Sequence, residues 1–226
     1  MASKTAPKAA PTPKQARAQS TIDLLINEAD KAMKNGGEGA VRIQEISETT
    51  KVSIGSIYHH FGDRDGLVRA TYMRNLRQAV TQEVARVRKF MERMHSAKEL
   101  SENYKQMLQY LSEYFQKYSV VSRANVIGSA TGRPLLREAL IEVQTELIDS
   151  LTEVMQLIKQ RGMLKEHLDA RATAVVLLGM LHGRIIAELD ATPVEIERWN
   201  ETMLTAFSGF FKDVDQLPIW QQLQQN

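Results

Sequence analysis

Apolar residues along this chain recur at spacings of three and four, the pattern of helices that each bury one face. Ile22, Leu25, Ile26, Ala29 and Met33 share such a face. Gly36, Gly37 and Gly39 end that helix, because glycine enters left-handed backbone without a Cβ clash. Ile43–Thr50 and Ile54–His60 predict two short helices, the second with Ser53 as its N-cap. Asp63 is placed to cap a long fourth helix with the face Leu67, Thr71, Leu76, Val80, Val84, Val87, Met91 and Met94. A fifth carries Tyr104, Met107, Leu108, Leu111, Phe115 and Tyr118, and a short sixth over 120–130 breaks at Gly132-Arg133-Pro134. The most regular stripe is Leu136, Leu140, Val143, Leu147, Leu151, Val154 and Ile158, stopped by Gly162. The stretch 169–189 predicts the most apolar helix, and Pro193 opens a last one through Trp199, Met203, Phe207 and Phe210. No stretch alternates apolar and polar between turn residues, so the expected fold class is all-α, with about nine helices and no sheet.

Composition narrows the setting. The chain has 226 residues, 43% hydrophobic and 25% charged, which is ordinary globular usage and excludes wholesale disorder. It has no cysteine, so a disulfide framework, a thiolate metal site and a cysteine nucleophile are excluded. The apolar run Ala174–Leu181 is far short of the roughly 20 residues that cross a bilayer. No basic start followed by an apolar core marks a secretion signal, so the expected location is cytoplasmic. The formal charge of +2 is unevenly spread. Residues 1–75 hold eleven Lys+Arg against eight Asp+Glu, and the remainder eighteen against nineteen, so an anionic partner is sought at the N-terminal end.

That end contains the informative constellation. Helices of eight residues are unstable alone, so neighbouring helices must hold the two short ones. Two short helices joined by a tight turn inside a small bundle form a helix-turn-helix, whose second helix enters the DNA major groove. Ser53 and Ser56 offer hydroxyls, Gly55 allows close backbone approach, and Ile54 suits a thymine methyl. Tyr58, His59 and His60 offer donors to phosphate, and Arg64 lies near a helix N-terminus that favours anions. Tyr58 and Phe61 also suit a core. Adjacent histidines point in different helical directions, against a metal pair. His95, His167 and His182 have no partner at ligand spacing, and Gly128–Gly132 lacks the lysine of a phosphate loop, so no metal, cofactor or catalytic residue is expected.

The run from Val52 to Leu67 resembles the TetR family of transcriptional regulators. Val52, Ser53, Gly55, Ser56, Ile57, Tyr58, His60, Phe61, Arg64 and Leu67 occupy the family's pattern, with Ala29, Met33, Gly37, Ile43 and Ile46 upstream. Arg64 stands for the usual Lys, Lys51 for the usual turn Gly, and Ser47 for a usual Ala. Lys51 in a left-handed turn costs on the order of 1 kcal/mol, offset by a different bend or a phosphate contact. The resemblance implies DNA contacts by Lys51, Ser53, Ile54, Gly55, Ser56, Tyr58, His59, His60 and Arg64, with Phe61 in the core.

The expected organisation is an arm over 1–14, a three-helix DNA-binding module over 15–66, a helical effector and dimerisation domain over 67–217, and a tail over 218–226. Lys4, Lys8, Lys14 and Arg17 suit either a solvated arm or a minor-groove contact. The last helices carry an expected homodimer interface of Val176, Gly179, Gly183, Ile186, Trp199, Met203, Phe207 and Phe210. The resemblance also implies an effector pocket, for which Val87, Met91, Tyr104, Met107, Leu111, Phe115, Arg123, Asn125, Leu147, Leu151 and Met155 are candidates. Ten methionines suit an adaptable lining, and the few polar candidates favour a mostly apolar effector. The functional expectation is a homodimeric repressor released from a palindromic operator of double-stranded DNA by a small molecule. The alternatives are a DNA-binding regulator without a small ligand, and a helical ligand carrier or enzyme.

Overall fold

The computed structural model describes residues 12–117 and 120–212, without the side chains of 13–15, 97, 101, 104, 115–117 and 120–123. The chain divides by its contacts into two compact units, through Asn75 and from Leu76, a boundary beyond the Gly66 that the sequence suggested. Among the described residues there is no strand; the sole β pairing is an antiparallel bridge between Leu164 and Phe211.

The first unit is built from α1 (Pro13–Gly36), a 3-10 turn (Glu38–Ala40), α2 (Ile43–Thr50), α3 (Ile54–Phe61) and the start of α4 (Arg64–Glu92). Pro13 and Lys14 belong to α1 rather than to an arm, since proline is tolerated in a first helical turn. Residues 1–11 of the expected arm lie outside the described residues. Leu25, Ile26 and Ala29 of α1 meet Val41, Ile46, Ile57, Leu67 and Val68 in one buried cluster. That cluster explains the boundary, because α4 supplies two of its members and Asn75 ties α4 to Asp30 of α1 at 2.6 Å.

The second unit contains the rest of α4, then α5 (Ala97–Glu102), α6 (Tyr104–Lys117), α7 (Val120–Ala130), α8 (Pro134–Gln160), α9 (Ala170–His182), α10 (Arg184–Glu188) and α11 (Ile196–Ser208). The α8 stripe is buried as its spacing predicts, except for half-buried Leu140, and α8 packs along α9. Gly162 follows at φ 72°, where a side chain would be strained. Arg161 then caps the end of α4, its guanidinium donating to the carbonyls of Met91, Met94 and Glu92 at 2.7, 2.6 and 3.1 Å.

Two departures from the expected helices have local causes. The stretch 169–189 is two helices, because α9 ends at Gly183. There Arg184 turns inward and donates to the Val194 carbonyl at 2.8 Å. The last helix opens at Ile196 with Glu195 as N-cap, leaving Pro193 in the preceding loop. Phe210 falls after that helix, in the turn that carries Phe211 into its bridge.

Candidate nucleic-acid interface

The turn between α2 and α3 fixes the geometry of the site. Lys51 sits at φ 60° and ψ 20°, the one described non-glycine residue at positive φ. Side-chain hydrogen bonds brace it from both sides. The Ser47 hydroxyl donates to the Val52 carbonyl at 2.7 Å and the Thr50 hydroxyl to the Ile46 carbonyl at 2.6 Å. The Ser47 and Thr50 hydroxyls thus fasten a turn whose left-handed residue is a lysine, since such bonds contribute roughly 0.5–1.5 kcal/mol each, comparable with the left-handed strain. Ser53 caps α3, its Oγ accepting from the Ser56 N–H at 3.2 Å.

Helical periodicity then sorts α3 into two faces. Ile57 is fully buried and Phe61, four residues on, packs against the same core. Ile54 and Tyr58 flank that inward line, 38% and 46% exposed, and exposed Gly55 and His59 lie on the far side. Large apolar groups left in solvent beside donors suit a surface that another molecule covers. Ser56 and His60 are half-buried at its edge, and Lys51 and Ser53 are exposed beside it. A Cβ added at Gly55 would meet nothing within 4 Å, so the fold itself does not require glycine there. The His59 and His60 rings meet edge-on at 5.5 Å. No group of three or more His, Asp or Glu among the described residues is placed to hold a metal.

Arg64 opens α4, as expected. Its guanidinium turns back on the linker between α1 and α2, where Nε donates to the Val41 carbonyl at 2.8 Å and a terminal nitrogen to the Glu38 carbonyl. The other terminal nitrogen lies 3.5 Å from an Asp65 carboxylate oxygen. The planar fork reaches two carbonyls at once, which a lysine ammonium at this position matches less well. Two further contributors escaped the sequence reading. A Cβ on Gly66 would stand 1.8 Å from the Phe61 carbonyl oxygen, so glycine is required where α3 meets α4. Its N–H donates to Asp63 Oδ1 at 2.6 Å, the expected cap. Tyr72 donates its hydroxyl to Glu38 Oε1 at 2.9 Å. The Asp-Gly pair was a legible signal; the contacts of Arg64 and Tyr72 span more than twenty residues and left none.

In the second unit the effector candidates differ in exposure. Met91, Leu147, Leu151 and Met155 are buried, and Val87, Met107 and Leu111 are half-buried. Asn125 is exposed, because Val126 and Ala130 form the buried face of α7. The side chains of Tyr104, Phe115 and Arg123 lie outside the described residues. Sequence reasoning passed over Asn200, which is fully buried in α11 and donates to Ser112 Oγ at 2.9 Å. An isolated polar residue inside an aromatic stripe gave no signal of that pairing.

The expected dimer residues also separate. Met203 and Phe207 face inward, and Phe207 stacks edge-on with Phe210 and Phe211 at 5.3 and 5.4 Å, so this aromatic stripe is core within one chain. Gly183 lies against the half-buried Trp199. Val176 and Ile186 are 47% and 76% exposed, and Gly179 faces open space. Val175 and Leu189 join them, unforeseen, at 46% and 77%.

Residues 25–71, spanning this helix-turn-helix, match the family described as bacterial regulatory proteins, tetR family. The HTH-type transcriptional regulator UidR of Escherichia coli K12 is 21% identical over 177 residues, covering 78% of this chain and 85% of its own. Among solved structures, a TetR transcription regulator from Haloarcula marismortui superposes with a TM-score of 0.66 at 15% identity, covering 86% of this chain and 100% of its own. A TetR-family regulator from Pectobacterium atrosepticum gives 0.62 at 18% identity, covering 88% and 98%. A protein from Saccharomonospora viridis, solved in complex with choline, gives 0.60 at 15% identity, covering 85% and 98%. The structures agree on the fold, while the matched segment coincides with the capped, outward-facing α3. Residues 25–71 thus carry a helix-turn-helix that matches the tetR family of bacterial regulatory proteins, and the curated relative over most of the chain is a transcriptional regulator.

Proposed function

We propose that this protein is a homodimeric repressor that leaves a palindromic operator when a small, mostly apolar effector binds its second unit. The observation that carries the dimer is the apolar row of α9 and α10, where Val175, Val176, Ile186 and Leu189 are exposed around the open Gly179. The stretch Ala170–Glu188 has a mean hydropathy of 1.3 and by length and composition alone would suit a membrane, yet only 33% of it is buried in one chain. Pairing with its own copy removes that surface from water. It also supplies the second recognition helix, one DNA turn or roughly 34–36 Å away, that a palindrome requires. The working location is the cytoplasm, with the DNA.

The contacts offered to DNA are those on the outer face of α3 and its turn: Lys51, Ser53, Ile54, Gly55, Ser56, Tyr58, His59 and His60. The effector reading draws on the methionine- and leucine-rich faces of α4 and α8, and on the choline found in the Saccharomonospora viridis structure. A ligand that favours one arrangement of α4 shifts the binding equilibrium by its differential affinity, typically about 1–3 kcal/mol. Selection of bound sequences from random duplex DNA tests the core of this reading. Recovery of a two-fold symmetric site by a species that sediments as a dimer supports it. Recovery of no enriched sequence, or a concentration-independent monomer, overturns it.

A further inference from the structure

We propose that Arg64 serves DNA binding as a positioning residue, a clamp on the α1–α2 linker, and not as a phosphate contact. The position opens α4 beside the recognition helix, where a cation is readily taken for a phosphate anchor. The geometry assigns it another task. Its guanidinium bridges the Val41 and Glu38 carbonyls, residues 23 and 26 positions earlier in the chain. Tyr72, two turns further along α4, holds the Glu38 carboxylate at 2.9 Å. The short turn Glu38–Ala40 is therefore grasped twice by α4, through its backbone and through its side chain. Val41, whose carbonyl Arg64 holds, is 1% exposed in the module core and lies two residues before α2 begins. The clamp thus sets where α2 starts. Through Ile46 and Ile57, which share one cluster, it sets how α3 is presented. Fixed donors on two carbonyls also explain why arginine rather than lysine stands here: one ammonium cannot reproduce the planar fork.

The test separates charge from geometry. Arg64→Lys keeps the charge, and Tyr72→Phe removes no charge at all. Binding to one mixed-sequence duplex and to the duplex recovered by selection is measured from low to moderate salt. A clamp predicts that both variants lose affinity for the selected duplex, about tenfold for Arg64→Lys. It also predicts lines of log K against log salt parallel to the wild type. A phosphate contact predicts wild-type affinity for Arg64→Lys and a slope smaller by about 0.9 for Arg64→Gln. Amide hydrogen exchange on the free proteins is an arm independent of DNA. Faster exchange confined to the linker and the start of α2 supports the clamp. Unchanged exchange there in both variants, or the phosphate-contact pattern of affinities, overturns it.

Discussion

Replacing Gly55 with alanine sets stability and DNA binding against each other, and the structure fixes the sign of the first. Gly55 is the second residue of α3, its φ is not positive, and a Cβ built on it meets nothing within 4 Å. Alanine there loses less backbone entropy on folding, a gain of about 0.4–1 kcal/mol. For a module of this size that raises the melting temperature by about 2–8 °C. The first unit, residues 1–75, holds neither of the two tryptophans, so its own unfolding is not followed by tryptophan fluorescence. Urea unfolding is followed instead by backbone amide signals of Ile46 and Ile57. The same methyl group lies on the outer face beside Ile54 and Tyr58, where the backbone is proposed to approach the duplex. Operator affinity is expected to fall about tenfold or more, a loss of roughly 1.4 kcal/mol. A stabilised variant that binds DNA as tightly as wild type refutes the assigned face. A destabilised one refutes the claim that the fold leaves this position free.

Other outcomes follow from the same geometry. Lys51→Gly relieves a left-handed residue and is expected to stabilise the module by up to about 1 kcal/mol. If Lys51 also touches phosphate, the salt slope of duplex binding drops by about 0.9 in the same variant. Leu67→Ala opens a cavity in the fully buried cluster beneath α3 and costs about 2–5 kcal/mol in urea unfolding, abolishing DNA binding while the second unit persists. Ile186→Lys changes a residue 76% exposed, so stability of one chain stays within about 0.5 kcal/mol, while the proposed dimer is expected to dissociate in sedimentation velocity. The exposed Glu166 carboxyl is held below its ordinary range, first by its hydrogen bond to Lys212 and then by that ammonium's charge. Whatever the pair contributes is present above the unfolded carboxylate range and is lost as pH falls through the folded value. Lys212→Met should move the Glu166 titration upward by NMR, and an unmoved titration would show the pair to be idle in solution.

The legibility of this chain followed the range of the interactions involved. The spacing of Leu25, Ile26 and Ala29, the Ser53 and Asp63 caps and the glycine stops depend on neighbours within four residues, so the sequence determined them. The left-handed turn at Lys51 was legible only through the resemblance of residues 52–67 to a known family, which implies a turn at that position. The core place of Phe61 was legible through the same resemblance, and the structure adds fully buried Ile57 one turn earlier.

Only the tertiary structure decided how equally apolar or equally charged groups were allotted. Met203 and Phe207 have the same period as an interface stripe, yet both are buried within one chain, Phe207 against the rings of Phe210 and Phe211. Val176 was left in solvent because α8 covers the other side of α9, and Ile186 because α10 turns its other side to α7 and α9. Arg64 carries the charge of a phosphate anchor. Its side chain is long enough to reach Val41 and Glu38, and that distant pair of carbonyls, brought near by the packing of α1 against α4, settled where its hydrogen bonds went.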